Sequence, residues 1–116
     1  MDIYQGFFTL KPGANDLEFA ADFEAFMQHL AGEGKIAGWR LMRRKLGLGP
    51  AELGDWHMMI EVEDLAQLDA AFSLAARRSG DTEQRHFAVN SKIASVKFAL
   101  YRDFPDSQRR TGEELF

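Results

Sequence analysis

The stretch IAGWRLMRRKLGLGPAELGDWHMMIEV, residues 36–62, decides the fold. It predicts a strand over residues 36–46, a loop punctuated by glycine and proline over residues 47–54, and a second strand over residues 55–62. A strand and a helix are predicted before this hairpin, and a helix and a strand after it. The element order is therefore β-α-β-β-α-β.

The second strand of the hairpin has two unlike faces, because side chains alternate along a strand. One face is apolar and the other is mixed, with His57, Met59 and Glu61. The apolar face consists of Trp56, Met58, Ile60 and Val62. One side of the hairpin therefore belongs to the core, and the other carries polar groups.

The register of the hairpin follows from matching these faces. If the apolar faces of both strands coincide, the two residue numbers of each cross-strand pair add up to an odd number. A tight register then pairs residues across the strands as Leu41 with Ile60, Met42 with Met59, and Arg40 with Glu61. Arg40 and Glu61 are thereby expected to be neighbours of opposite charge.

Length and composition predict a single domain. The chain has 116 residues, 46% of them hydrophobic and 28% charged, which is typical of one globular domain. It has no cysteine, which excludes disulfides and cysteine-ligated metal centres. The net charge of −4 disfavours nucleic acid as a partner, and no apolar run approaches the roughly 20 residues of a membrane span. We expect a cytoplasmic protein with neither a membrane nor a nucleic-acid partner.

The flanking elements also have clear patterns. Residues 3–11 predict a strand that is central or lies at an interface, since both of its faces are apolar. Asn15, followed three residues later by Glu18, predicts the start of a helix over about residues 16–31. A helix capped by Asp64 and closed by Ser79-Gly80, a short helix over residues 83–91 and a strand over residues 94–102 follow. Residues 1–105 are thus one domain, and residues 106–116 a polar tail.

A chain with this element order has a right-handed solution. It is an α+β, ferredoxin-like fold: a four-stranded antiparallel sheet in the order 4-1-3-2, with the helices on one face. The other sheet face then exposes the apolar side chains of Phe7, Met42, Met59 and Tyr101. Because monomers rarely expose such a surface, we expect two sheets to pack face to face in a homodimer.

In this respect the chain resembles the dimeric α/β-barrel superfamily of small ferredoxin-like proteins, over about residues 3–104. The resemblance lies in the element order, the strand GWRLMRR at residues 38–44, and the closing LYRDFP at residues 100–105. It implies relatives that include cofactor-independent monooxygenases, haem-degrading enzymes, isomerases and ligand-sensing domains. The monooxygenases use an Asn–Trp pair; this chain has Trp39 and Trp56 but offers Gln5 and Thr9 in place of the asparagine, so no catalytic residue is carried over.

The mixed face of the hairpin holds the candidate site residues. His57 could act as a general base tuned by a carboxylate, because histidine titrates near neutral pH. The candidates are His57, Glu61, Arg40 and Tyr101. The alternative is that these side chains are structural and only satisfy one another's hydrogen bonds and charges at an interface.

Other polar residues give weaker signals. His29 and His86 are interpreted as surface or packing residues, and the wide spacing of the three histidines does not support a metal site. The basic run Arg43-Arg44-Lys45 is interpreted as solvated charge at the end of a strand. Residues 47–50 lack the Lys and Ser/Thr of a phosphate loop.

Two functions from different classes remain open. The first is a small-molecule-binding protein or cofactor-independent enzyme of the monooxygenase or isomerase kind, with a site between helices and sheet or inside the dimer. The alternative is a non-catalytic homodimeric interaction or sensing module. Haem degradation would need an axial histidine in the pocket; we expect no cofactor, and a hemin absorbance scan would test this.

Overall fold

The computed structural model describes residues 1–77 and 80–106. The expected element order is present, including the short helix expected after the second long one. The elements are β1 (Asp2–Leu10), α1 (Asp16–Gly32), β2 (Gly38–Arg43), β3 (Trp56–Val62), α2 (Leu65–Ala75), α3 (Gly80–Asn90) and β4 (Ile93–Arg102). The four strands form one antiparallel sheet in the order β2-β3-β1-β4, which confirms the predicted order.

Helix α1 contributes more buried residues to the core than any other described element. Its first turn is capped by Asn15, whose side-chain oxygen accepts a hydrogen bond from the Glu18 amide at 2.9 Å. Its buried residues are Phe19, Phe23, Phe26, Met27 and Leu30, at the helical spacing seen in the sequence. The ring of Phe19 packs on Phe8 of β1 and Trp56 of β3, so α1 lies across the middle of the sheet.

The predicted boundary between α2 and α3 is wrong. Helix α2 begins at Leu65 with the expected cap, in which Asp64 accepts from the Gln67 amide at 2.8 Å, but it ends at Ala75. Helix α3 begins at Gly80, three residues earlier than expected. Asp81 therefore lies inside the helix, where its carboxylate pairs with the Arg85 side chain one turn further on, at 3.3 Å.

The predicted register of the hairpin is wrong by two residues, although its parity is right. The structure pairs Arg40 with Met59, Leu41 with Met58, and Met42 with His57. Glu61 is therefore opposite Gly38 and not opposite Arg40. Gly38 suits this position because the Glu61 carboxylate lies only 3.0 Å from the place where a β-carbon on residue 38 would be.

The central strand β1 divides the molecule into two sides. The helices pack on the side of Tyr4 and Phe8. We call the opposite side the uncovered face, because no helix of the described residues lies on it. By strand register it comprises Ile3, Gln5, Phe7, Arg40, Met42, His57, Met59, Glu61, Lys97, Ala99 and Tyr101.

The edge strand β4 is only partly covered even on the helix side. Val96, Phe98 and Leu100 point to that side, yet they are 37%, 57% and 50% exposed. The helices therefore leave an opening above β4. The predicted tail lies largely outside the described residues, which end at Asp106.

Candidate functional site

A cavity of about 480 Å³ lies between the sheet and the three helices. Its floor is formed by β1, β3 and β4, and its walls by one side of each helix. The walls are mainly apolar, with side chains such as Phe8, Phe23, Phe26, Met27, Leu30 and Met58. It has the size and lining typical of a small-molecule site.

Three aromatic rings line the cavity on the side of α2 and β4. Tyr4 stacks on Phe98 of β4, with ring centroids 5.3 Å apart, and meets the edge of Phe72 of α2 at 5.1 Å. Phe72 is 45% exposed, which places this aromatic group beside the opening above β4. Burial raises the pKa of the Tyr4 hydroxyl, so Tyr4 is neutral and able to donate a hydrogen bond at neutral pH.

Helix α3 contributes the polar side of the cavity. His86 and Asn90 both line it, and the Asn90 amide nitrogen lies 2.7 Å from His86 Nε2. Behind the imidazole, Glu83 Oε2 lies 3.8 Å from His86 Nδ1. This carboxylate oxygen is buried and has no hydrogen-bond partner in the structure.

Helix α3 is fixed in place by α1. His29 Nε2 hydrogen-bonds the buried Thr82 hydroxyl at 2.6 Å, and the ring of Phe26 stacks on His86 at 5.4 Å. Beyond the helix, Lys92 donates to the Asp22 carboxylate at 2.7 Å. These contacts tie both ends of α3 to α1 and hold His86 against the cavity.

The four candidates from the sequence lie elsewhere, on the uncovered face, and none of them lines the cavity. His57 Nε2 is 2.8 Å from Gln5 Oε1, and its ring stacks on Phe7 at 4.2 Å. Burial lowers the pKa of His57, because desolvation disfavours the imidazolium. The neighbour of His57 is thus an amide and not the expected carboxylate.

The other three candidates share this face without forming a cluster. The expected pairing of Arg40 with Glu61 is wrong, since Glu61 is opposite Gly38. Tyr101 is opposite Ile3 on the edge strand and is 64% exposed. Their role at an interface stays a prediction.

Several motif residues have structural partners. Trp39 donates its indole N–H to Glu24 at 2.8 Å, and Arg43 pairs with Asp16 at 2.9 Å while lying over the ring of Trp56. Neither tryptophan lines the cavity. Arg44 donates to backbone carbonyls of the loop that joins β2 to β3, including that of Pro50 at 2.7 Å. Arg43 and Arg44 of the basic run therefore each have a structural partner.

The sequence interpretation missed the role of His86 in lining the cavity. The signal was the spacing of Glu83, His86 and Asn90, which puts all three on one helix face. The presence of the cavity could not be read from that spacing, because it depends on how far α2 and α3 stand from β4.

Residues 1–77 and 80–106 have neither a metal-binding cluster nor a membrane-spanning helix. This part of the chain contains no group of three or more histidine and carboxylate side chains that could hold a metal ion. Within the same ranges, none of the helices combines the length and the apolar character needed to cross a bilayer.

The sheet order and the helices on one side define a ferredoxin-like α+β protein with a cavity between helices and sheet. The chain belongs to the DUF6614 family, a family of unknown function whose profile matches residues 1–116. No curated protein matches it.

Solved structures with this fold are distant in sequence. At3g17210 from Arabidopsis thaliana has a TM-score of 0.71 at 7% identity, over 92% of this chain and 99% of that one. SnoaB from Streptomyces nogalater, a cofactor-independent oxygenase, has a TM-score of 0.65 at 12% identity, over 90% and 97%. A dimeric ferredoxin-like protein of unknown function from Thermobifida fusca has a TM-score of 0.61 at 11% identity, over 86% and 88%. At these identities the likeness shows the fold alone.

Proposed function

We propose that this protein binds a flat, largely apolar small molecule in the cavity between the helices and the sheet. The observation that supports it is the cavity itself, whose volume of about 480 Å³ falls within the range of small-molecule sites. Aromatic walls suit a planar ligand, because ring faces and edges provide favourable contact geometries. The few polar groups, Tyr4, His86 and Asn90, would orient the ligand.

Within this proposal the protein acts as a cofactor-independent enzyme of the monooxygenase or isomerase kind. Support comes from the similar fold of SnoaB, a cofactor-independent oxygenase, and from the two titratable groups that line the cavity, Tyr4 and His86. An imidazole and a phenolic hydroxyl are able to accept and donate protons without a cofactor.

The proposal is tested by filling the cavity from α2. Ala75 lines the cavity, whereas Ala66 is exposed on the same helix. We expect 2-naphthol to raise the melting temperature of the wild type and of the control Ala66→Phe, because a ligand that binds only the folded state stabilises it. Ala75→Phe should lose this rise, since the added ring occupies the cavity.

Circular dichroism shows whether both variants fold, and isothermal titration gives the affinities. Equal binding by Ala75→Phe and Ala66→Phe would place the ligand outside the cavity. Absence of stabilisation by 2-naphthol and by related flat aromatic compounds of this size would contradict the proposal.

A second candidate function is supported by the uncovered face. It carries Phe7, Met42, Met59 and Tyr101, and structural neighbours of this fold are described as dimeric. We propose that two copies pack through this face. If the cavity takes no ligand, the better interpretation is a non-catalytic homodimeric interaction or sensing module.

A further inference from the structure

We propose that the ligand of the cavity carries an acidic hydroxyl, as in a phenol or an enol, and that His86 Nε2 accepts the proton of that hydroxyl. This inference rests on the proposed function and specifies the chemistry of the same site. It assigns His86 as the proton acceptor, Asn90 as a hydrogen-bond donor to the resulting oxyanion, and Glu83 as a positioning residue.

The neighbours of His86 assign its tautomer. An amide N–H₂ only donates hydrogen bonds, so the 2.7 Å contact with Asn90 Nδ2 makes His86 Nε2 the acceptor. The proton of the neutral ring is then on Nδ1, which faces the Glu83 carboxylate at 3.8 Å. The ring therefore presents a lone pair on its Asn90 side, where both residues line the cavity.

The Glu83 carboxylate favours a protonated His86 ring. Its Oε2 is buried without a hydrogen-bond partner, which is a costly state for a carboxylate oxygen. When the ring gains a proton, the imidazolium and the carboxylate attract each other across the same short distance. Proton uptake by His86 thus adds a positive charge beside the buried oxygen, which has no hydrogen-bond partner to offset its burial.

The contact between Asn90 and His86 marks the place of the ligand hydroxyl. An acidic O–H entering the cavity would replace the Asn90 amide as the donor to Nε2, and the freed amide N–H would turn to the ligand oxygen. The O–H bond breaks, the N–H bond on Nε2 forms, and the electron pair stays on the oxygen as a phenolate or enolate. No oxidant or reductant is needed for this step.

A phenol or an enol fits better than a carboxylic acid. The body of the ligand lies among apolar and aromatic side chains, which suits a ring with few charges. A carboxylic acid would arrive already ionised at neutral pH and would offer no proton to the neutral ring. It would also approach Glu83, which carries the same charge.

The experiment uses 4-nitrophenol, whose phenolate absorbs at longer wavelength than the neutral phenol. Its methyl ether, 4-nitroanisole, is the matched probe without the proton. In a slightly acidic buffer we expect both probes to bind. Bound 4-nitrophenol should show the phenolate band, with its apparent pKa lowered by about one unit, a tenfold change in the ionised ratio.

Two variants test the roles of His86 and Glu83. His86→Gln should still bind 4-nitroanisole, though more weakly, but leave bound 4-nitrophenol neutral. Glu83→Gln should reduce the ionised ratio about tenfold and move the pH midpoint of the band upward, because the imidazolium loses its counter-charge. Gln84→Ala, an exposed neighbour on α3, is the control and should behave as the wild type.

Two results would overturn the inference. If 4-nitrophenol binds and stays neutral, or ionises equally in His86→Gln, His86 is not the acceptor, while the proposed cavity function stands. If neither probe binds, the cavity function fails and this inference fails with it.

Discussion

His57 loses solvation when the chain folds, because its ring lies on Phe7 and its Nε2 is held by Gln5. Burial lowers the pKa of His57 below the ordinary value of 6.5. As the pH falls, the unfolded chain therefore takes up the proton before the folded protein does. The stability that neutral His57 provides is present above about pH 6.5 and is lost as the pH falls below it.

We expect the free energy of unfolding to be smaller at about pH 5.5 than at about pH 7.5. His57→Gln should reduce this difference, because glutamine is about as polar and does not titrate. Urea unfolding at both pH values measures the change. The same pH dependence in wild type and His57→Gln would assign it to other groups.

The face on which the candidate residues lie could be predicted from the sequence, but their side-chain partners could not. Alternation assigned His57, Glu61, Arg40 and Tyr101 to one face, and the structure places them there. Their partners depend on register and on residues distant in the chain, such as Gln5 for His57 at 2.8 Å. Alternation with a period of two determines which sheet face a residue lies on, but it does not determine which residue of the adjacent strand lies beside it.

At the scale of the elements, the loop from β2 to β3 explains why these strands pair two residues away from the register that the sequence predicts. The Arg44 amide donates to the Asp55 carbonyl at 2.6 Å, and the Arg44 side chain binds the loop carbonyls of Pro50 and Gly54. Residues 44–55 thus form a loop organised by one arginine, and pairing begins only at Arg43 with Trp56. Sequence patterns predicted the loop but not these internal contacts.

The same loop touches the central strand at Gly54. A β-carbon at residue 54 would clash with the backbone carbonyl of Phe8. Because backbone atoms surround it, this contact has no flexible side chain that could move away. The close approach holds the loop against β1 and positions the start of β3.

We expect Gly54→Ala to destabilise the protein by about 1–3 kcal/mol, since overpacking forces the backbone apart. Gly32→Ala is the matched control, because no atom lies within 4 Å of its β-carbon and α1 favours alanine. Thermal unfolding of both variants measures the effect. A Gly54→Ala protein as stable as Gly32→Ala would show that the loop is free to move away from β1.

At the scale of the whole molecule, residues 1–77 and 80–106 form a sheet with helices on one side only. Patterns of period two and 3.6 predicted the elements, and the order of the elements with right-handed connections predicted this layout and the strand order. The cavity lies in one of the two places that the sequence left open, between helices and sheet, but its lining was not predictable at the same level. The lining depends on how elements distant in the chain pack, as in the contacts His29–Thr82 and Lys92–Asp22 that hold α3 on α1, while β4 stays partly open.

The uncovered face is where we expect a second copy of the chain to pack. It presents Phe7, Met42 and Met59 beside one another across three neighbouring strands, since Phe7 is opposite His57, which is opposite Met42, and Met59 is two residues further along. Burial of apolar area contributes about 25 cal/mol per Å², which favours association before its entropic costs are counted.

Met59→Asp should weaken this dimer about 100-fold or more, because an unpaired charge buried at an interface costs about 3–5 kcal/mol and each 1.4 kcal/mol is tenfold. Leu17→Asp is the matched control, since Leu17 lies on α1 at 79% exposure, on the helix side of the sheet. Size-exclusion chromatography with light scattering should show a dimer for wild type and Leu17→Asp and a monomer for Met59→Asp, with unchanged helical circular dichroism. A wild-type monomer at tens of micromolar, or a dimer that Met59→Asp leaves intact, would exclude the uncovered face as the contact between copies.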